Sequence, residues 1–408
     1  MKPRRVVVTG IGAFTPVGHG ADGLWAGVLA NRSAVRCIDR FDPSPFPSRV
    51  AAQIDDFQPA DHLDVRRARR LDRFSALTVA AARTAVEHAR LSPISDRTGV
   101  FVGSALGGVA FGEEQHAAYV ARGVRGVAPT LALAVFGGAG ASNVAIDLGI
   151  TGPAVGNANS CASGAVAIGE AFHAIRGGVI DAALAGGAEA PLAPLTFGAF
   201  AMIRVLSRRN DDPATASRPF DIGRDGFVMG EGAAILVLEE RDSAMRRGAP
   251  ILGEVLGYGN SNDAYHMTAP RPDGREAARA IGVALADASL EPESVDYVNA
   301  HASSTPLNEL AEARALHRAL GPRAASVPVS GTKGLYGHAL GASGAIEAAI
   351  TVLALHHGLL PGTCNLVDPD PACDLSVLRD PVERQVAVGL STSFGFGGMN
   401  AALLVGRA

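Results

Sequence analysis

Apolar residues gather in short runs separated by longer stretches of helical periodicity. Val6–Val8, Gly99–Val102, Ala182–Ala185, Ala234–Leu238, Tyr297–Ala300, Val327–Val329 and Ala401–Val405 are compact and uncharged, and each predicts a buried strand. Between them, Phe74–Leu91, Gly164–Arg176, Gly274–Ala288, Leu307–Leu320 and Gly344–His357 have the length and pattern of helices. Such alternation predicts covered sheets with many parallel neighbours, an α/β fold. The Pro- and Asp-rich stretches 209–225 and 361–381 are too short for disorder and read as structured surface loops.

Two segments imitate each other. SCASGAVAIGEAFHAIRGGVIDAALAG and HALGASGAIEAAITVLALHHGLLPGT each run from a small-residue turn through Ser-Gly-Ala into an apolar helix ending near Gly. This predicts two similar halves, 1–250 and 251–408, with shared chemistry at their interface.

The uncharged stretches 126–146, 148–169 and 387–406 reach the length of a membrane span. Each is broken by several Gly with Ser, Asn or Pro, which a lipid-exposed helix could not carry, so they read as interior strands, turns and helices. Lys2, Arg4 and Arg5 before the apolar run Val6–Phe14 resemble a secretory leader, but the valines followed by Thr9, Gly10 and Gly12 fit a strand entering a turn better. The expected protein is cytoplasmic.

Composition narrows the function classes. The chain has 408 residues, 48% of them apolar and 19% charged, with 49 glycines and a net charge of −4. That suits a Gly-rich α/β protein and gives no basic footprint for nucleic acid. The four cysteines show neither disulfide-scaffold density nor a CxxC metal spacing, so reduced thiols are expected.

One cysteine stands apart. Gly156-Asn-Ala-Asn-Ser160-Cys161-Ala-Ser-Gly164 is a turn ahead of a helix, where unpaired N–H groups and the positive dipole end favour thiolate over thiol. From this context Cys161 reads equally as a nucleophile or as a small buried hydrophobe. His301 follows a strand and precedes Ser303, Ser304 and Thr305, a position where α/β proteins place ligand-binding groups. Lys333 and His338 sit five residues apart in a Gly-flanked loop. His356 and His357 are adjacent on a helix, diverge by about 100° and receive no role.

These segments resemble the β-ketoacyl-acyl-carrier-protein synthase family, elongating type, which includes type II polyketide ketosynthase subunits. NSCASG, HASSTP and TKGLYGH are joined by RPFDIGRDGFVMGEGAAILVLEE, DAYHMTAP and STSFGFGGMNA, all in family order over nearly the whole chain. The resemblance implies a thiolase fold, five layers αβαβα from two similar halves, and a dimer. It implies that Cys161 accepts the acyl group, that His301 and His338 are the paired catalytic histidines, and that the N–H groups of Cys161 and Phe396 hold the oxyanion. Lys333 is implied as a support held by Glu347 and Glu309. Ser303, Thr305 and Thr268 are implied to line a phosphopantetheine tunnel, with Phe200 and Phe396 gating the acyl pocket. No metal or redox cofactor is implied, because the substrates ride on the phosphopantetheine of acyl carrier protein.

That acidic partner turns a basic run into a candidate landing site: Arg66, Arg67, Arg69, Arg70 and Arg73, with Arg204, Arg208 and Arg209 as additions. A dinucleotide-binding reading of VVVTGIGAFTPVG fails because Thr15 occupies the third glycine position. A thiolase would need a second cysteine where this chain has Phe394-Gly-Phe-Gly-Gly. A non-catalytic chain-length-factor subunit would lack the nucleophile, although this chain could be the active partner of one. Ala302, Glu309 and Met399 depart from the commonest family pattern and leave both fatty acid and polyketide elongation open.

Overall fold

The structure, a computed structural model, describes residues 3–408, so Lys2 lies outside the described residues. Ten strands carry the architecture: β1 (Val6–Thr15), β2 (Thr98–Gly103), β3 (Ala154–Asn157), β4 (Ala182–Glu189), β5 (Gly232–Glu240), β6 (Gly253–Asn262), β7 (Tyr297–Asn299), β8 (Pro328–Ser330), β9 (Val388–Gly395) and β10 (Met399–Gly406). Five helices pack on them: α1 (Arg73–Ala89), α2 (Ser163–Arg176), α3 (Arg275–Ala288), α4 (Asn308–Leu320) and α5 (Ser343–His357).

The first half runs β3-β2-β4-β5-β1 and the second β6-β10-β9-β7-β8, and pairing of Val6–Val8 with Gly253–Val255 joins them, with the two-residue strands Gly18–His19 beside β1 and Ser376–Val377 beside β8, into one twelve-stranded sheet. The halves repeat each other in detail. In each, the two innermost pairings are antiparallel and the two outer ones parallel. In each, the first strand carries one bulge, at Val8/Gly10 and at Val255/Gly257.

Strict alternation explains why these runs are apolar throughout. Ala234, Leu236 and Leu238 of β5 face one core while Ala233, Ile235 and Val237 face another, so both sides of the strand are buried. On β10, Ala401, Leu403 and Val405 share the first core, and Ala402 and Leu404 face a third. That shared core holds α2 and α5 between the two sheet halves; α1 covers the outer face of the first half, and α3 with α4 that of the second. The result is the expected five layers.

Helix α5 is buried from Ser343 through Leu355, apolar nearly all round as a central helix must be. Its meeting with α2 depends on two glycines. A Cβ on Gly164 would lie 2.8 Å from the Ala345 nitrogen, and one on Gly344 would lie 2.9 Å from that of Ala165. The two Ser-Gly-Ala segments are thus where the central helices of the two halves touch.

Strands β3, β6 and β9 escape the periodicity reading, because Gly, Ser and Asn interrupt their apolar positions. The segment 126–146 corrects an expectation. Leu133, Val135 and Phe136 are exposed, so its first part is surface, whereas Ala139, Ala141 and Val144 are buried in the core as expected; Val155 on edge strand β3 is exposed as well. Among the described residues, no strand pairs with the outer edge of β3. No helix among the described residues is long and apolar enough to cross a membrane.

Candidate active site

Cys161 sits in the 3-10 turn Ser160–Ala162 that opens α2, and Ser160 adopts the left-handed region at φ 53° to turn the chain inward. The sulfur is buried, with the Ser160 hydroxyl 3.8 Å away and the backbone N–H of Phe396 directed at it. The Phe396 loop abuts this turn closely: a Cβ on Gly395 would lie 3.1 Å from the Cys161 nitrogen. The expected preference for thiolate does not hold in the resting site. Burial pushes the thiol above its ordinary value, and the Ser160 hydroxyl, the Phe396 N–H and the Lys333 charge offset this only in part.

His301 and His338 meet at the same pocket, their ring centroids 5.2 Å apart and their planes at 82°. His301 follows β7; its backbone N–H donates to Glu312 at 2.8 Å and to Thr392 at 3.1 Å. His338 is fixed by its own backbone, donating to the Val228 carbonyl at 2.7 Å and accepting from Gly230 at 2.9 Å. Burial first, and the Lys333 charge second, hold both imidazoles well below the ordinary histidine range. At neutral pH each ring is uncharged and carries one N–H.

Lys333 is fully buried, and its ammonium contacts Glu347, the His301 carbonyl and, at 3.3 Å, Nδ1 of His301. Burial pushes Glu347 up to about 8 against the pull of that ammonium. Glu309 is a correction. It lies in the first turn of α4, accepts from the N–H groups of Ser304 and Thr305, and stands 3.8 Å from Arg224, with no contact to Lys333. Glu312, one turn further along and not singled out from sequence, braces the histidine loop through His301, Ala302 and Thr392. The i, i+3 spacing of the two glutamates was the available signal.

A cavity of about 450 Å³ opens onto Cys161, His301 and His338. Phe200, Phe396, Ser303, Thr305, Thr268 and Arg204 all line it. Phe200 and Phe396 stack with centroids 6.2 Å apart, and the Ser303 and Thr305 hydroxyls lie 3.0 Å from each other. The arginine run divides. Arg66, Arg69 and Arg70 are exposed, but Arg67 is paired to Asp147 alongside Arg83, and Arg73 joins Arg40 on Glu231. Arg67 and Arg70 border a separate hollow beside Thr130 and Leu133, whereas Arg204 stands on the catalytic cavity itself.

Sequence reading also missed Glu189 and Ser343. The buried Glu189 carboxylate accepts from the Ser104 hydroxyl and from the N–H groups of Ala105, Leu106 and Gly341, tying loops of both halves together. Among the described residues, no group of three or more His, Cys, Asp or Glu is arranged to hold a metal ion.

A cysteine at a helix start, two neutral imidazoles and a buried lysine–glutamate pair at the contact of two duplicated α/β halves define a thiolase-fold protein of the thioester-handling class. The chain belongs to the β-ketoacyl synthase family: residues 3–244 match the Beta-ketoacyl synthase, N-terminal domain, and residues 252–367 the C-terminal domain. It is 44% identical to 3-oxoacyl-[acyl-carrier-protein] synthase 2 of Synechocystis over 99% of this chain and 98% of the relative. Among solved structures it superposes on the ishigamide ketosynthase/chain length factor with a TM-score of 0.93, 35% identity and full coverage of both chains. A ketosynthase bound to a hexaketide, in complex with its type II polyketide synthase acyl-carrier protein, matches with a TM-score of 0.90, 33% identity and full coverage of both.

Proposed function

We propose that this enzyme extends an acyl chain held on Cys161 by decarboxylative condensation with a malonyl thioester carried on acyl carrier protein. The observation that carries this reading is the opening of Cys161, His301 and His338 onto one cavity, both imidazoles neutral and the Phe396 N–H aimed at the sulfur. Sulfur attacks the incoming acyl thioester, and its proton leaves with the departing pantetheine thiol. The N–H groups of Cys161 and Phe396 hold the tetrahedral oxyanion. Malonyl thioester then enters, and its carboxyl carbon–carbon bond breaks to release CO2. The electron pair stays as an enolate whose oxygen accepts from the Nε2–H groups of His301 and His338. Enolate carbon attacks the acyl carbonyl, the carbon–sulfur bond to Cys161 breaks, and the β-ketoacyl product leaves on its carrier.

Phe200 and Phe396 gate the acyl pocket, Ser303, Thr305 and Thr268 line the pantetheine tunnel, and Arg204 with Arg66 and Arg70 receives the acidic carrier. The exposed edge of β3 and the apolar surface around Phe136 support assembly with a second ketosynthase-like subunit. Similarity to ketosynthase/chain-length-factor structures favours, as a second reading, an active subunit beside a non-catalytic one. The four free cysteines suit the cytoplasm.

Incubation with acyl- and malonyl-carrier protein, followed by mass spectrometry, tests the whole proposal. The expected results are an acyl adduct on Cys161, CO2 release and a β-ketoacyl product, with no adduct in Cys161→Ala. Condensation of two acetyl thioesters without CO2 would point to a thiolase. Activity only with a co-expressed homologue would establish the heterodimer.

A further inference from the structure

We propose that Ser343 is a positioning residue that fixes His338 as its Nε2–H tautomer by donating its hydroxyl to Nδ1. The inference rests on the condensation reading above. Ser343 Oγ lies 2.9 Å from Nδ1 of His338, and both side chains are buried.

The duplicated fold supplies an internal comparison. Ser163 holds the matching place at the start of α2, and there the hydroxyl donates to the Ser160 carbonyl three residues back, at 2.7 Å. A serine serving only to shape the turn into α5 would do the same with Leu340. Instead the Ser343 hydroxyl is aimed at the imidazole.

The other histidine reaches the same state by a different device. Nδ1 of His301 faces the Lys333 ammonium at 3.3 Å, and an ammonium can only donate. With Nδ1 accepting from the ammonium, the neutral His301 ring carries its proton on Nε2, and a Ser343 hydroxyl that donates leaves His338 in the same state, so both rings present a donor to the cavity. If His338 held its proton on Nδ1, Ser343 would accept that proton, and the Nε2 lone pair would repel the enolate oxygen instead of stabilising it. A hydroxyl suits this task better than a carboxylate, because it orients the ring without drawing a second proton onto it.

The test compares wild type, Ser343→Ala and Ser343→Thr, each labelled with 15N-histidine. In substrate-free wild type, His338 should show the Nε2–H pattern of nitrogen shifts. In Ser343→Ala it should become a mixture of tautomers, and Ser343→Thr should restore it. Release of CO2 from malonyl-carrier protein should fall roughly fivefold in the alanine variant, the weight of one neutral hydrogen bond, while the rate of Cys161 acylation stays unchanged. An alanine variant that keeps the wild-type ring pattern overturns the proposal, whatever its activity. Equal losses in acylation and decarboxylation with an unmoved ring pattern would mark Ser343 as structural only. Because the ring pattern is read without substrate, failure here is distinct from failure of the condensation reading, which would appear as wild-type enzyme releasing no CO2.

Discussion

The stabilising part that Lys333 plays can be separated from a catalytic part proposed for it. Its ammonium contacts Glu347, the His301 carbonyl and Nδ1 of His301 in a region with no solvent exposure. Lys333→Met keeps the stem but leaves the buried Glu347 carboxyl and the His301 carbonyl without their donor, and breaking one side of a buried pair costs up to about 3–5 kcal/mol. Combining it with Glu347→Leu removes the unpartnered carboxyl and leaves chiefly the His301 carbonyl without a donor, about 1–3 kcal/mol. Urea unfolding should therefore place the double variant between the single variant and wild type. Decarboxylation should not follow that recovery, because Nδ1 of His301 has lost its donor in both variants.

The pH dependence supplies a second readout of the same change. The Lys333 charge lowers both histidines and lowers Cys161. Removing it moves the acid limb of decarboxylation to higher pH, since the rings now protonate sooner, and moves Cys161 alkylation by iodoacetamide to higher pH as well. A double variant that decarboxylates at the wild-type rate, or an acid limb that stays in place, would refute the catalytic part and leave Lys333 as a packing element.

In wild type, burial holds the Cys161 thiol above its ordinary value of 9.0, so iodoacetamide alkylation should still be accelerating at pH 9; a plateau below that would contradict it. Charge reversal at Arg66 or Arg70 should raise KM for carrier-bound substrate in a salt-sensitive way and leave small thioester mimics unaffected. Arg67→Glu should instead lower stability, because it sets a second carboxylate against Asp147; equal KM effects on both substrate forms at the exposed positions would sink the docking role. Gly164→Ala should destabilise by about 1–3 kcal/mol because its Cβ meets the Ala345 backbone, whereas Gly282→Ala, on the open face of α3, should stabilise by about 0.4–1 kcal/mol in urea unfolding.

What the sequence disclosed and what it hid divide along a physical line. Strands such as β5 and β10 are legible because burial on both faces demands an unbroken apolar run. Strands β6 and β9 are hidden because glycine and serine break that run. Cys161, His301 and His338 each carry a local signature: a turn before a helix, a strand end followed by hydroxyl side chains, and a Gly-flanked loop. The supports of these groups do not, because their roles depend on phase and on distant partners. Glu309 and Glu312 differ by one helical turn, and only the start of α4 at Asn308 decides which of them braces the histidine loop. Arg67 and Arg73 look as free as their neighbours until Asp147 and Glu231, 80 and 158 residues away, are seen to hold them. The thiol shows the same limit: the helix start is written in the sequence, but the burial that outweighs it comes from both halves closing over the site. Ser163 and Ser343 make the point most sharply. They occupy equivalent places in two nearly identical Ser-Gly-Ala segments, yet one hydroxyl closes a turn and the other holds a histidine, because only the second helix begins five residues after an imidazole that faces the cavity. Duplication set the position of the serine, and the histidine in the second half determines what its hydroxyl does.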